Sequence, residues 1–248
     1  MSDLTATVAR LLATVDDLRI TAGDDGDAAD RLRCQPLVDD PAALLDLVRS
    51  TAAGRGTDRD DVATSLFVQG YAFRIASLAI GAWLVDDVVI DVDPSITSVA
   101  LGRHRPNAVH LDVARAAGDG LPAVHATLIE GHLARLVRTA HDACRVGEAL
   151  LWSNVGAGVA SAFGAFMGPL PERRAEIRDR AEAFLAAGRP ELRASGRLVH
   201  VGPLWAWERS ACCLWYKTDS GFRCEDCSLW TDEERRERYD RVIAELEP

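Results

Sequence analysis

No charged side chain occurs between Glu148 and Glu172, and this stretch limits the possible folds more than any other part of the chain. A segment so long and so apolar must either cross a membrane or be covered on every side by protein. Ser153, Asn154, Gly156, Gly158, Ser161, Gly164, Gly168 and Pro169 lie inside it, which favours cover by protein: a buried helix whose small residues admit close neighbours. A chain of 248 residues can provide that cover, because a protein of this length removes roughly three quarters of its unfolded surface from water. Hydrophobic residues at 48% and charged residues at 27% exclude a disordered or fibrous chain.

The flanking segments read as further helices. Leu4, Val8, Leu11, Leu12 and Val15 recur at helical spacing, and a polar acidic loop through Gly23, Asp24, Asp25, Gly26 and Asp27 follows. Asp40 before Pro41 is a cap and first helical position for a helix to about Ala53. Thr57 or Asp58 opens a longer helix that runs near Val85, apolar on both faces and so central. Helices are also predicted from Leu121 to about Arg145, from Glu148 to Met167, and from Pro171 to near Gly188. Thr231 and Glu234 form a capping box for a last helix carried by Tyr239, Val242, Ile243 and Leu246.

Strands are expected where β-branched residues alternate: Val88, Val89, Ile90 and Val92, then Ile96 to Leu101, then Val109 to Val113, giving two or three. Arg103, His104, Arg105, Pro106 and Asn107 make the turn between the last two, and Arg197 to Val201 adds a short strand. The expected class is α+β, mainly helical with a small antiparallel sheet. We divide it into a helical substrate-binding domain over 1–202, expected to fold by itself, and a small cysteine-rich unit with a C-terminal helix over 203–248 that docks onto it.

A formal net charge of −10 repels phosphate backbones and anionic lipid headgroups, so nucleic acid is excluded as the expected partner. Met1, Ser2, Asp3 and Leu4 lack the basic start of a signal peptide, and Asp16 and Asp17 interrupt the first apolar stretch, which points to the cytoplasm and to no membrane span.

Four of the six tryptophans and four of the six cysteines fall between Trp205 and Trp230. Cys212, Cys213, Cys224 and Cys227 read C-C-x10-C-x2-C. Thiols in a reducing compartment are kept free, so this density points to a metal rather than to disulfides. The C-x2-C turn offers two thiolates to one metal, and Cys212 with Cys213 supplies two more if the ten-residue loop folds back. Zinc and an iron–sulfur cluster both accept four thiolates. Adjacent cysteines strain a single-ion chelate and suit a two-iron cluster, yet spacing alone leaves both open.

The stretch resembles the C-terminal signature of FhuF-type ferric siderophore reductases, in which two adjacent cysteines, ten residues and a C-x2-C pair ligate a 2Fe-2S cluster. Arg209 before the motif, Tyr216 after Cys213 and Asp226 before Cys227 are also similar to that family. The motif covers under a tenth of the chain, and the helical middle with Leu151, Trp152, Ser153 and Asn154 resembles the family only loosely. The resemblance implies a 2Fe-2S cofactor on Cys212, Cys213, Cys224 and Cys227. It also implies a cytoplasmic oxidoreductase that passes one electron to a ferric siderophore, so that ferrous iron is released for iron uptake. No G-x-G-x-x-G loop or flavin signature is present, so an external electron donor is implied: a ferredoxin, a flavodoxin, a flavin reductase or a small thiol. A zinc-stapled interaction protein without catalysis and an iron–sulfur redox sensor remain as alternatives.

Arg209, Lys217 and Arg223 flank the ligands; they suit an anionic chelate or a reduced cluster, or they offset Glu208, Asp219, Glu225 and Asp226. Trp205, Trp207, Trp215 and Trp230 offer flat faces to a chelate, wall off the cysteines, or simply pack a small metal-stapled unit. Arg103 and Arg105, with His104, form a second basic spot suited to a carboxylate or a deprotonated chelate oxygen, or a solvated turn. The candidate substrate contacts are therefore Arg103, Arg105, Trp205, Trp207, Arg209 and Lys217. Cys34 and Cys144 stand apart as small buried hydrophobes, and His125 and His132, seven residues apart, read as packed histidines rather than ligands.

Overall fold

The computed structural model describes residues 4–15, 18–23, 31–202 and 204–246. The acidic loop over 24–27, Asp16 and Asp17, and the first three residues lie outside them. In chain order the elements begin with α1 (Leu4–Thr14), β1 (Ile20–Ala22), β2 (Arg31–Arg33), α2 (Cys34–Asp39) and α3 (Pro41–Ala52). Then come α4 (Asp60–Asp86), β3 (Thr97–Gly102), β4 (Arg105–Leu111) and α5 (Gly120–Val124), which continues through a π-helical segment, His125–Leu133, into α6 (Ala134–Cys144). The chain closes with α7 (Glu148–Met167), α8 (Arg174–Ala187), α9 (Pro190–Arg193), β5 (Gly196–Val201), β6 (Leu204–Arg209) and α10 (Asp232–Leu246).

Of the predicted helix starts, those at Asp40 and Thr231 form caps, whereas α4 begins at Asp60 rather than at Thr57 or Asp58, and Arg59 at its N-cap makes no side-chain capping bond. The Asp40 carboxylate accepts from the N–H groups of Ala42 at 2.8 Å and Ala43 at 3.3 Å, filling two of the donors that the start of α3 leaves unpaired. Before α10, Thr231 N–H donates to Glu234 Oε2 at 2.8 Å and Glu234 N–H donates back to Thr231 Oγ1 at 3.2 Å.

The α4 and α7 helices form the centre. By length and composition each could cross a membrane; here 72% of the most apolar window of each is buried inside the molecule. Glycine makes their contact possible at one point. A Cβ on Gly158 would fall 2.8 Å from the backbone nitrogen of Phe73 and 3.0 Å from the Ala72 Cβ, so α7 touches the α4 backbone there.

The mainly helical α+β class is observed, but the sheet is mixed rather than antiparallel. Its order is β1-β4-β3-β2, and β1 runs parallel to β4, with Ile20 opposite Val109. β1 and β2 have three residues each, too few to carry an alternation signal, and they take their partners from β4 and β3. The β3–β4 turn is tighter than predicted: only Arg103 and His104 form it, both with left-handed backbone (φ 50° and 62°), and Arg105 already belongs to β4.

Val89, Ile90 and Val92 are buried, as the composition of the run demands, but it is not a strand beyond one bridge between Ile90 and Ala116. Its backbone is satisfied elsewhere. Asp91 N–H donates to Arg115 O at 2.8 Å, Ala117 N–H to Val89 O at 2.9 Å, and Val92 N–H to Thr127 Oγ1 at 2.9 Å.

A second sheet is the hairpin β5–β6, in which Val201 pairs with Leu204 and Gly196 with Arg209. The sequence reading contains β5 but not β6. The hairpin runs across the point between residues 202 and 203 where the sequence divides the chain.

The π-helical segment carries His132 into the core. Its Nδ1 donates to Val92 O at 2.5 Å, and its Nε2 accepts from the Tyr71 hydroxyl at 2.6 Å. Burial pushes the His132 pKa down to about 4, against a smaller contrary effect of the bond to Val92. An unfolded chain protonates this histidine near pH 6.5, whereas the folded chain does so only near pH 4. The unfolded state therefore holds the extra proton in between, and stability falls as pH drops through that window, by up to about 3 kcal/mol. Thermal unfolding at pH 7 and 4.5 should show a smaller acid-induced drop in Tm for His132→Gln than for the parent chain.

Candidate metal centre

The four clustered cysteines come together on the loop that follows β6. Cys213 Sγ lies 3.2 Å from Cys224 Sγ, and Cys212 Sγ lies 3.9 Å from Cys227 Sγ. The C-x2-C segment closes as a tight turn, with Cys227 N–H donating to Cys224 O at 3.2 Å, and Leu214 N–H donates to Cys212 Sγ at 3.4 Å. Cys213 and Cys227 are buried, whereas Cys212 and Cys224 are half-buried, and all six cysteines of the chain are free. Hydrogen bonds from Cys212 and Cys224 favour the thiolate of Cys213, with the positive charge of Arg209 adding to them; the same bonds raise the pKa of the two donors.

Two thiolates on one tetrahedral ion, bonded at about 2.3 Å, stand about 3.8 Å apart. The pair at 3.9 Å already has that spacing, and the pair at 3.2 Å must open by roughly half an ångström. Among the described residues no three His, Cys, Asp or Glu side chains surround a single point as a formed ion site does. The Cys212–Cys213 hydrogen bond joins the two short sulfur contacts, so the four sulfurs run as one chain, Cys227–Cys212–Cys213–Cys224.

Beneath the loop lies a polar layer that water does not reach. The Arg209 side chain is 0% exposed; it contacts Asp226 Oδ2 through Nη2 at 2.7 Å and donates from Nη1 to Asn154 Oδ1 at 3.0 Å. The Asn154 amide donates in turn to Ser65 O and Oγ at 2.9 Å, and Ser65 Oγ donates to Cys213 O at 2.7 Å. Ser153 Oγ lies 3.0 Å from the carbonyls of Ser195 and Ala211 and accepts from Ala211 N–H. The C-terminal helix is tied in through Glu208, which meets Arg197 at 2.7 Å, Arg235 at 3.0 Å and the Tyr239 hydroxyl at 2.9 Å. Trp230 donates to Cys224 O at 2.9 Å and lies between the guanidinium groups of Arg223 and Arg238, 5.0 and 4.8 Å from its ring.

Two cavities adjoin the loop. One, of about 760 Å³, is lined by Cys224, Trp205, Trp207, Trp215 and Phe222. The indole N–H groups of Trp205 and Trp207 have no hydrogen-bond partner among the described residues. The other, of about 780 Å³, is lined by Arg55, Arg103, Arg105, Leu66 and Asp219. Gln69, Ser161 and Trp215 belong to both walls, so the Arg103–Arg105 turn and the tryptophan cluster face neighbouring spaces.

Of the candidate substrate contacts, Trp205 and Trp207 therefore line the first cavity, and Arg103 and Arg105 the second. Arg209 is sealed under the loop. Lys217 is exposed, 5.8 Å from the Tyr216 ring, and borders neither cavity. Cys34 is buried, and burial pushes its thiol up to about 12; Cys144 is half-buried, with the Thr64 hydroxyl donating to its sulfur at 2.9 Å. His125 stacks on Phe184 with ring centroids 4.0 Å apart, and His132 sits in the core. Sequence reasoning missed Ser65, Arg55 and Gln69: Ser65 precedes Cys213 by 148 residues, and no local pattern links them.

Removing the Asp226 charge isolates Arg209 in a place without water. Asp226→Asn should destabilise the chain by about 3 kcal/mol, while Glu225→Gln, at an exposed neighbour, should stay within about 0.5 kcal/mol of the parent in urea unfolding. A scan against protein-family models finds no match for this chain, and a search of curated proteins finds none either.

Proposed function

We propose that the chain is a one-electron reductase of ferric siderophores, holding a 2Fe-2S cluster on Cys212, Cys213, Cys224 and Cys227. One observation carries the reading: all four sulfurs gather at one place, Cys213 Sγ against Cys224 Sγ and Cys212 Sγ against Cys227 Sγ. Four thiols gathered this way could serve two neighbouring irons, two to each, as they could serve one zinc, so the choice of the cluster leans on the spacing of the motif. The similarity of the cysteine spacing to FhuF-type reductases supports the same assignment.

When bound, such a cluster supplies a centre that takes and gives up one electron at a time. The protein's part is to hold and tune it. Leu214 N–H and the Arg209 guanidinium favour negative charge on the sulfurs, and the burial of Cys213 and Cys227 keeps water away on the inner side. Cys224 lines the first cavity, and Trp215 lines both cavities, so a chelate in either space would stand beside the cysteine loop.

Hard oxygen donors hold ferric iron far more tightly than ferrous iron. One electron leaves an external donor, a ferredoxin, flavodoxin, flavin reductase or small thiol, and arrives on the ferric ion, which then leaves the chelate as Fe²⁺. No carbon bond forms or breaks, so no nucleophile or general base is asked of the chain.

A second reading has its own support. Trp215, Tyr216, Phe222 and Leu229, four large apolar side chains exposed on the cysteine loop, would suit a protein partner of a zinc-stapled unit.

Anaerobically prepared protein should contain two irons and two sulfides per chain, be silent in electron spin resonance when oxidised, and give a spin-half signal when reduced. Serine at any of the four cysteines should lose or shift these features, and alanine at Cys34 or Cys144 should not. Stoichiometric zinc without sulfide would overturn the assignment in favour of the interaction protein. A cluster that ferric siderophores fail to reoxidise would leave a redox sensor.

A further inference from the structure

We propose that the ferric chelates taken by this chain are anionic, and that Arg55, Arg103 and Arg105 grip their negative groups in the second cavity. The identity of the ligand as an iron chelate rests on the reductase reading; the anion site rests on the cavity itself.

Three guanidinium groups and one carboxylate, Asp219, line that space. Among the described residues neither Arg103 nor Arg105 has an ion pair or hydrogen-bond partner for its side chain. The Arg55 side chain reaches only a carbonyl, donating from Nη2 to Leu66 O at 3.0 Å. Many arginines elsewhere meet carboxylates, although Arg174 and Arg193 also reach carbonyls. Arg49 takes Asp60 at 2.6 Å, Arg115 takes Asp91 at 2.6 Å, Arg135 takes Asp39 at 2.5 Å and Arg197 takes Glu208 at 2.7 Å. In a chain with 38 acidic and 28 basic residues, carboxylates are plentiful, so cations left unpaired around one cavity leave room for an outside anion. Burial and the nearby Arg105 charge both act to lower the Arg55 pKa, a tension that an anion between them would relieve.

The backbone points the same way. Arg103 and His104 form a two-residue hairpin turn with φ of 50° and 62°, positions where Asn and Gly are the usual occupants. Holding larger side chains there strains the backbone. The turn is also pinned: a Cβ on Gly54 would fall 2.1 Å from the His104 ring, so the imidazole rests directly on Gly54. A strained turn locked against the end of α3 fixes the bases of two arginine side chains at the cavity wall. Trp215 and Leu66 line the same cavity, and Leu66 packs with Val62 against Cys213. An anion held by the arginines would thus lie one side-chain layer from a cysteine of the candidate centre. The volume, about 780 Å³, suits a ligand of siderophore size, and the planar guanidinium fork matches carboxylate and catecholate oxygens.

Gallium(III) copies the charge and coordination of ferric iron but accepts no electron, so it separates binding from reduction. Binding of a gallium tris-catecholate and of a neutral gallium tris-hydroxamate to the full chain is read from tryptophan fluorescence. The tris-catecholate should bind roughly tenfold or more tightly than the hydroxamate, and Arg103→Gln/Arg105→Gln should erase that difference by weakening the anionic complex alone. Arg105→Lys should keep part of the preference, which added salt weakens. Asp219→Asn, which removes the carboxylate from the wall, should tighten the anionic complex, a gain that a misfolded variant does not produce. Equal affinity for the two chelates in the parent chain, or equal loss of both in the double variant, overturns the proposal. The reductase reading fails separately: a chain that prefers the anionic gallium chelate but never reduces its ferric counterpart keeps the site and loses the reaction. A chain that reduces both ferric chelates, with the double variant affecting them alike, keeps the reaction and loses the site.

Discussion

Arg209 carries a positive charge to a place without water, and the order of the cysteine loop follows from how that charge is satisfied. A buried cation is tolerated only where its donors meet acceptors, here the Asp226 carboxylate and the Asn154 carbonyl. Asp226 stands next to Cys227, so satisfying the cation also positions one end of the C-x2-C turn. Asn154 must present its oxygen to Arg209, which leaves its amide nitrogen to Ser65 on α4, and Ser65 then reaches Cys213 O. One desolvated guanidinium thus connects the two central helices to both halves of the cysteine motif. Such a network stabilises less than its number of bonds suggests, because desolvation opposes it; its larger effect is to exclude other loop arrangements.

What could be read in the sequence divides along a physical line. Caps and long apolar helices depend on residues within a few positions of one another, and Asp40, the Thr231–Glu234 pair and the uncharged run after Glu148 all form as expected. The three-residue strands β1 and β2 depend on partners far along the chain and carry no pattern of their own. The run at Val88–Val92 has the right composition for a strand, but Thr127 and His132 take up the backbone groups of Val92. Within the site the four cysteines were legible because their spacing is that of a metal-ligand motif. The role of Ser153 and Asn154 was not, since nothing in an apolar helix announces which of its few polar residues faces a loop more than 50 residues later. Arg209 was legible as a basic neighbour of the cysteines, yet its burial is a property of the assembled layers.

Average charge and local charge also part company. A net charge of −10 describes the surface as a whole, and from that average the chain repels anions. The cavity between Arg55 and the β3–β4 turn has the opposite sign, because three arginines line it against one carboxylate, Asp219, among the described residues. In a surrounding negative field, such a concave positive spot is selective for where an anion lands.

The hairpin β5–β6 has a mechanical consequence. β6 ends at Arg209, three residues before the first clustered cysteine, and Ser210 N–H donates back to Ser195 O at 2.9 Å beside the start of β5. The two strands and the cysteine loop are thereby one lever. Stiffening the loop at its thiols would be felt as slower amide exchange along β5, a strand that contributes no ligand and lies before every cysteine of the motif, so occupancy of the centre would be written into the breathing of a distant hairpin edge.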